Sequence, residues 1–161
     1  MAVRKVLIYP APLLRKISKD VLPDDPVILS EIEDLTDTLN ANPGVAIAAP
    51  QIGVLKRIIA VNVVEEKQGQ GPFTLINPVI KEASRKKMVR EGCLSIPEYT
   101  GNLRRFKKIT VSGLNKDMEA MTITSVGLEA IAIQHEIDHL DGILFIDRIE
   151  SARGLFRRKY Q

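Results

Sequence analysis

Tryptophan is absent from these 161 residues and cysteine occurs once, at Cys93. A single cysteine excludes an internal disulfide, and a lone thiol suits a reducing compartment. With three Tyr and four Phe, the chain has little with which to build an aromatic platform for single-stranded nucleic acid. Long apolar runs are missing too; none approaches the ~18 residues of a membrane span. After the charges of Arg4 and Lys5, the N-terminus has only the run Val6 to Tyr9 before Pro10, shorter than the ~7 residues of a signal peptide's apolar region. The expected address is cytoplasmic.

A strong surplus of either charge is also lacking: 23 Lys and Arg stand against 20 Asp and Glu, a net +3. The small excess is uneven. Residues 1–80 hold eight basic and nine acidic side chains, residues 81–161 fifteen and eleven. Arg104-Arg105-Phe106-Lys107-Lys108 and a tail with Arg153, Arg157, Arg158 and Lys159 carry the excess. Solvated surface is the simplest reading of such runs, and a polyanion such as RNA the sharper one. Sequence-specific nucleic-acid recognition is not expected. The remaining composition, 45% hydrophobic and 27% charged, is that of an ordinary folded domain. A chain near 150 residues buries about 70% of its unfolded surface, enough for one core without staples. The expected unit is therefore a single domain over 1–161, with the basic tail starting at about 148.

Ile28, Ile32, Leu35 and Leu39 fall four, three and four apart, one apolar stripe of a helix over 26–41. Asp25 is the expected N-cap, Pro26 suits the first position, and Asn42-Pro43-Gly44 stops the helix. Arg57 to Val64 and Phe73 to Ile80 read as strands around a Gln68 to Pro72 loop. Lys108 to Leu114 and Met118 to Thr124 read as a hairpin about Asn115-Lys116-Asp117. A second helix is expected over 126–140, with Leu128, Ile131, Ala132 and His135 on one face, Ser125 as cap and Gly142 at its end. Strands and helices do not alternate regularly. The expected class is α+β, with mostly antiparallel sheet around a central helix.

That helix contains His135-Glu136-Ile137-Asp138-His139, an H-E-x-x-H pattern. Residues i and i+4 share a helical face, so both imidazoles can reach one metal ion, with Glu136 beside them as a proton acceptor. These are the chain's only two histidines, which makes a chance match improbable. Catalytic sites of this kind use three protein ligands and keep one position open. No histidine follows His139. Asp141, Asp147 and Glu150 are weak downstream candidates for the third ligand; Cys93, in Glu91-Gly92-Cys93-Leu94-Ser95, is the stronger one. A thiolate with two imidazoles suits iron(II), zinc, nickel or cobalt. A third segment, Gly44-Val45-Ala46-Ile47-Ala48-Ala49-Pro50-Gln51-Ile52-Gly53, is rich in small residues that permit close backbone approach. It ends near Gln51, an amide donor able to stabilise an oxyanion.

In this order, the three segments resemble the peptide deformylase family, and the resemblance runs from Tyr9-Pro10 to the basic tail. Glu91 to Ser95 and Gln134 to His139 match the second and third family motifs intact. In the first motif, Ala46 stands where the family carries its second glycine. At Thr100 some members carry an arginine, a charge that Arg105 or Arg90 would supply here by pairing with Glu91. The resemblance implies removal of the formyl group from N-terminal formylmethionine of nascent bacterial or organellar proteins. It assigns Cys93, His135 and His139 to one divalent metal, natively iron(II), with zinc, nickel or cobalt able to replace it. Glu136 becomes the general acid and base, and Gln51 and the Leu94 N–H the donors facing the formyl oxygen. Gly44 and Ala46 fall on the segment that pairs with substrate backbone. Val45, Val89, Leu128, Ile131 and Ala132 fall around the methionine side chain, and Glu91 is counted with the substrate site. N-formylmethionyl peptides are the implied partners, with the ribosome as a further one through the basic tail. Two other readings compete: a zinc peptidase cleaving ordinary peptide bonds, and a catalytically weak relative kept as a ribosome-binding protein.

Overall fold

The computed structural model describes residues 2–159. Met1, Tyr160 and Gln161 lie outside the described residues, so the domain expectation over 1–161 and the end of the tail extend beyond them. The stripe Ile28, Ile32, Leu35, Leu39 forms helix α1 (Ile28–Asn40) and is buried as its spacing requires. Its cap differs from expectation. Val27 is the N-cap residue and no side chain caps the helix; Asp25 Oδ1 instead accepts from Val27 N at 3.1 Å, one residue too early to serve the first turn.

After α1 come strands β1 (Ala46–Ala48), β2 (Ile58–Val63), β3 (Gly71–Cys93), β4 (Ile96–Leu114) and β5 (Ala120–Val126). They form one antiparallel sheet in chain order, and the C-terminal strand β6 (Leu155–Arg157) pairs with β4. The class is α+β with an antiparallel sheet and two helices. Strand β1 lies at the sheet edge. The Asn115 turn joins β4 to β5 as expected, with Met118 N donating to Asn115 O. Strand β3 is much longer than the expected Phe73 to Ile80. It pairs with β2 over Gly71 to Ile76 and then with β4 as far as Cys93, turning through register shifts near Ile76/Val79, Ile80/Glu82 and Gly92/Cys93. Such bulges re-aim a strand.

Helix α2 (Gly127–Leu140) packs on the opposite face of β1 and β2 from α1. The strand period of two divides the residues cleanly. Ile47, Ile58 and Ala60 join the α1 cluster, whereas Ala46, Ala48, Ile59 and Val61 join Ala130, Ala132 and Ile133 of α2. A third apolar cluster, Leu14, Cys93, Ile96, Leu103, Leu144 and Phe145, supports the far end of β3 and β4. Ser125 does not cap α2; its hydroxyl donates to buried Glu129 at 2.7 Å, while Val126 is the N-cap residue. Gly142, at φ +73°, follows the helix as expected and sends its N–H to His139 O.

Candidate metal centre

Ten of the fourteen α2 residues are buried, and six of these are polar or charged. Burial of Gln134, His135, Glu136, Asp138 and His139 is costly unless each finds a partner or a function. β3 ends against this helix at Cys93. Leu94 and Ser95 turn the chain directly into β4, so the thiol is fixed by the two longest strands of the sheet.

One ligand atom each from Cys93, His135 and His139 lie within 4.8 Å of one another. Cys93 Sγ is 3.3 Å from His139 Nε2, and the two imidazoles meet edge to face with centroids 5.0 Å apart. Ligand atoms around a tetrahedral ion with bonds of about 2.0–2.3 Å stand roughly 3.4–3.8 Å apart, so the group fits a single ion. His135 Nδ1 is 2.7 Å from Glu91 Oε1, which leaves Nε2 as its ligand atom. An orienting carboxylate behind a ligating imidazole is the usual support of such a site.

Glu91 is held in turn. Arg105 donates to it at 2.6 and 3.0 Å and to Asp138 at 2.7 Å; Arg148 donates to Asp138 at 2.6 and 2.7 Å. Arg105 is 3% exposed, so this is a buried charge network rather than a surface pair. Sequence reasoning named Arg105 as a partner for Glu91, and it is one. The other arginine named there, Arg90, lies over the Phe156 ring instead. Asp138 and Arg148 were missed; the only local signal was an acid next to His139. The weak ligand candidates lie elsewhere. Asp141 pairs with Arg57 and Glu150 with Arg104, and Asp147 is bound by Arg15.

The network shapes the titration of the site. Burial acts to raise Glu91, but the hydrogen bonds from His135 and Arg105 outweigh it and bring the carboxyl down to about 2. Burial raises Glu136 to about 7, against the attraction of His135. Its Oε2 has no hydrogen-bond partner. Burial, then the charges of His135 and Arg105, hold His139 well below the usual histidine range, so it is a neutral ligand. His135 is held well above that range: burial opposes its charge, but Cys93, Glu91 and Glu136 together outweigh burial. Surroundings that favour a proton there also favour a divalent cation in its place. The donor set, the unpartnered Glu136 oxygen and this negative field all fit a metal.

The centre lies against a cavity of about 630 Å³. Gly44, Val45, Ala46 and Gln51 form one wall, Glu91, Gly92, Cys93 and Leu94 a second, and Leu128, Ile131, Ala132, His135 and Glu136 a third. Of the expected site residues, His139 is 1% exposed and reaches the centre from behind the cavity. Val89, two positions before Glu91 on β3, does not line it. Gln51 is oriented by Ala48 N, which donates to its Oε1 at 2.9 Å; its Nε2 donates to Ser95 Oγ at 3.1 Å and lies 3.7 Å from Cys93 Sγ. Asn62 N donates to Val45 O. By strand alternation Val45 and Ile47 thus face β2, and Ala46 turns its N–H and C=O to the open edge. A second cavity, of about 450 Å³ beside α1, contains no histidine or cysteine.

The sequence model of the polypeptide deformylase family matches residues 3–154. Peptide deformylase of Carboxydothermus hydrogenoformans is 46% identical across 94% of this chain and 96% of its own length. A crystal structure of a peptide deformylase from Legionella pneumophila superposes with a TM-score of 0.86 at 39% identity, covering 92% of this chain and 87% of that one. Peptide deformylase from Ehrlichia chaffeensis in complex with actinonin superposes with a TM-score of 0.88 at 36% identity, covering 95% of this chain and 92% of the other.

Proposed function

The chain belongs to the polypeptide deformylase family, and from that premise we propose that its Cys93–His135–His139 group is the metal centre of an N-formyl hydrolase. The protein is a metal-dependent deformylase that removes the formyl group from formylmethionine at the start of nascent peptides. Water adds to the formyl carbon, the C–N bond breaks, and formate and a free amine leave. Residues 1–161 act as one catalytic domain, and α2 carries the metal motif. The observation that carries the reading is the convergence of one thiol and two imidazoles beside buried Glu136, whose Oε2 has no hydrogen-bond partner.

Cys93, His135 and His139 hold one divalent ion, natively iron(II), a metal compatible with one thiolate and two imidazoles. When bound, the ion supplies Lewis acidity, making water nucleophilic near neutral pH and polarising a carbonyl. Glu136 accepts the proton of the attacking water at Oε2 and returns it to the departing amine; its burial favours the protonated form and so assists the first transfer. Gln51 Nε2 and the Leu94 N–H donate to the formyl oxygen as negative charge builds there. The Glu91–Arg105–Asp138 network keeps the His135 ring in place and fixes which nitrogen faces the ion. The open edge of β1 at Gly44 and Ala46 receives the peptide backbone as an added strand. Val45, Leu128, Ile131 and Ala132 surround the methionine side chain.

No helix among the described residues is long and apolar enough to cross a membrane, and the cytoplasm is the proposed site of action. The exposed Arg153, Arg157 and Lys159 suit contact with ribosomal RNA. The test is formate release from a formyl-methionyl tripeptide by the metal-loaded protein. Formate and free amine should appear in equal amounts, stop on chelation and return with iron(II). Cleavage of an internal peptide bond without formate would instead establish a peptidase.

A further inference from the structure

Strand β6 pairs with β4 at Tyr99, Thr100 and Gly101, which carries Arg158 to the mouth of the active-site cavity. Arg158 N donates to Glu98 O at 2.6 Å, extending that attachment. The Arg158 guanidinium lies over Gly92. A Cβ built at Gly92 would stand 2.3 Å from Arg158 Nη2, so the glycine preceding Cys93 makes the room for this arginine. The Arg90 guanidinium, from β3, sits 3.8 Å above the centre of the Phe156 ring of β6. A cation over an aromatic face is held in orientation; Arg90 Nε also donates to Asn102 Oδ1 at 3.4 Å, which leaves the two terminal nitrogens to face the cavity mouth.

Both arginines line the cavity and both are exposed. Among the described residues neither makes an ion pair, a state they share with Arg85, Arg153 and Arg157; of these five, Arg90 and Arg158 alone line the cavity. The two carboxylates on the cavity wall, Glu91 and Glu136, are engaged or lie at the metal end. A cavity mouth with two uncompensated cations focuses potential on an incoming anion. Guanidinium forks bind carboxylates through two parallel hydrogen bonds.

We propose that Arg90 and Arg158 form a carboxylate-binding rim that selects formylated peptides carrying an acidic group a few residues beyond the formylmethionine. The inference rests on the deformylase reading, which places the formyl group at the metal and sends the rest of the peptide out through this mouth. The shared chemistry is a carboxylate, either an Asp or Glu side chain or the end of a short peptide.

The experiment is steady-state formate release by the metal-loaded protein on formyl-Met-Ala-Ser amide, its free acid, and formyl-Met-Ala-Asp and formyl-Met-Ala-Lys amides. The aspartyl peptide should exceed the lysyl peptide in kcat/KM by about 5-fold at low salt, mostly through KM, and the ratio should shrink at ~0.5 M salt. Arg158→Gln and Arg90→Gln should each reduce that ratio, Arg158→Lys should retain part of it, and Arg158→Glu should invert it. A preference shared by the free acid assigns the rim to any carboxylate; one confined to the aspartyl amide assigns it to the side chain. Formate release from all four peptides at equal efficiency, unchanged in Arg158→Glu, would overturn the rim. No formate from any peptide would overturn the deformylase reading instead.

Discussion

Ala46→Gly restores the glycine that the family's first motif carries, and two outcomes compete. Either the Ala46 methyl obstructs the peptide, and glycine speeds the reaction, or it packs into the protein, and glycine only weakens the fold. The geometry favours packing. Ala46 is 8% exposed, and it belongs to the cluster containing Ala130, Ala132 and Ile133, on the face of β1 opposite Ile47. What it turns toward the open edge is backbone, which glycine leaves unchanged. Loss of one buried methyl costs about 0.8 kcal/mol, and glycine inside a strand costs roughly 0.5–1 kcal/mol more in backbone entropy. The expected total is about 1.5 kcal/mol. For a domain of this size each kcal/mol lowers Tm by roughly 2–4 °C, so a drop of about 3–6 °C is expected, with kcat/KM within about twofold. Thermal melting of the metal-loaded variant and formate-release kinetics decide it. A tenfold rise in kcat/KM with unchanged Tm would show that the methyl faces the substrate and that the packing argument fails.

Cys93→Ala and His135→Ala should each lose the metal and nearly all activity, because two remaining ligands hold a divalent ion weakly; full metal content by elemental analysis would remove either from the ligand set. Glu136→Gln should keep the metal and lower kcat by about 10²–10⁴-fold, since an amide cannot carry the proton, and loss of metal from a folded variant would make Glu136 a ligand. Arg105→Met removes the shared partner of Glu91 and Asp138 and should cost about 3–5 kcal/mol, the usual penalty for orphaning a buried charge. Unchanged melting would show the network to be dispensable. If iron(II) is native, activity should decay faster in air than under nitrogen, through oxidation of the metal and of the Cys93 thiolate; equal half-lives would point to zinc or nickel.

The parts of the fold legible in the sequence were those with a regular apolar period. Ile28, Ile32, Leu35 and Leu39 gave α1 to within two residues, and the Asn115 turn gave its hairpin. The second half of β3 could not be read this way. Residues 81–90 are Lys-Glu-Ala-Ser-Arg-Lys-Lys-Met-Val-Arg, and all but Val89 are exposed. A ribbon solvated on both faces shows no alternation. Its strand character comes from the partner: Val89 opposite Leu103, Lys86 opposite Phe106 with the ammonium 5.4 Å from the ring centre, and the ladder to β4. The Asp25 cap failed for a smaller reason: the side chain bonded Val27 N before the first helical turn began.

At the site, legibility followed how local the chemistry is. Two imidazoles on one helical face must stand four residues apart, so His135 and His139 announced themselves, and the missing third ligand drew attention to the only thiol. The supporting charges obey no such spacing. Glu91 is on β3, Arg105 on β4, Asp138 on α2 and Arg148 beyond it, and only the pairing of β3 with β4 against α2 brings them together. Asp138 shows the limit well, since it lies inside the recognised motif and yet serves Arg105 rather than the ion. The tail shows it again. Arg153, Arg157, Arg158 and Lys159 are equivalent as a run of charge, and read as solvated surface. The pairing of Phe156 with Thr100 places Arg158, two residues on, over Gly92. Which arginine of a basic run meets the substrate is therefore a property of strand register, and a shift of one residue there would exchange it for a neighbour.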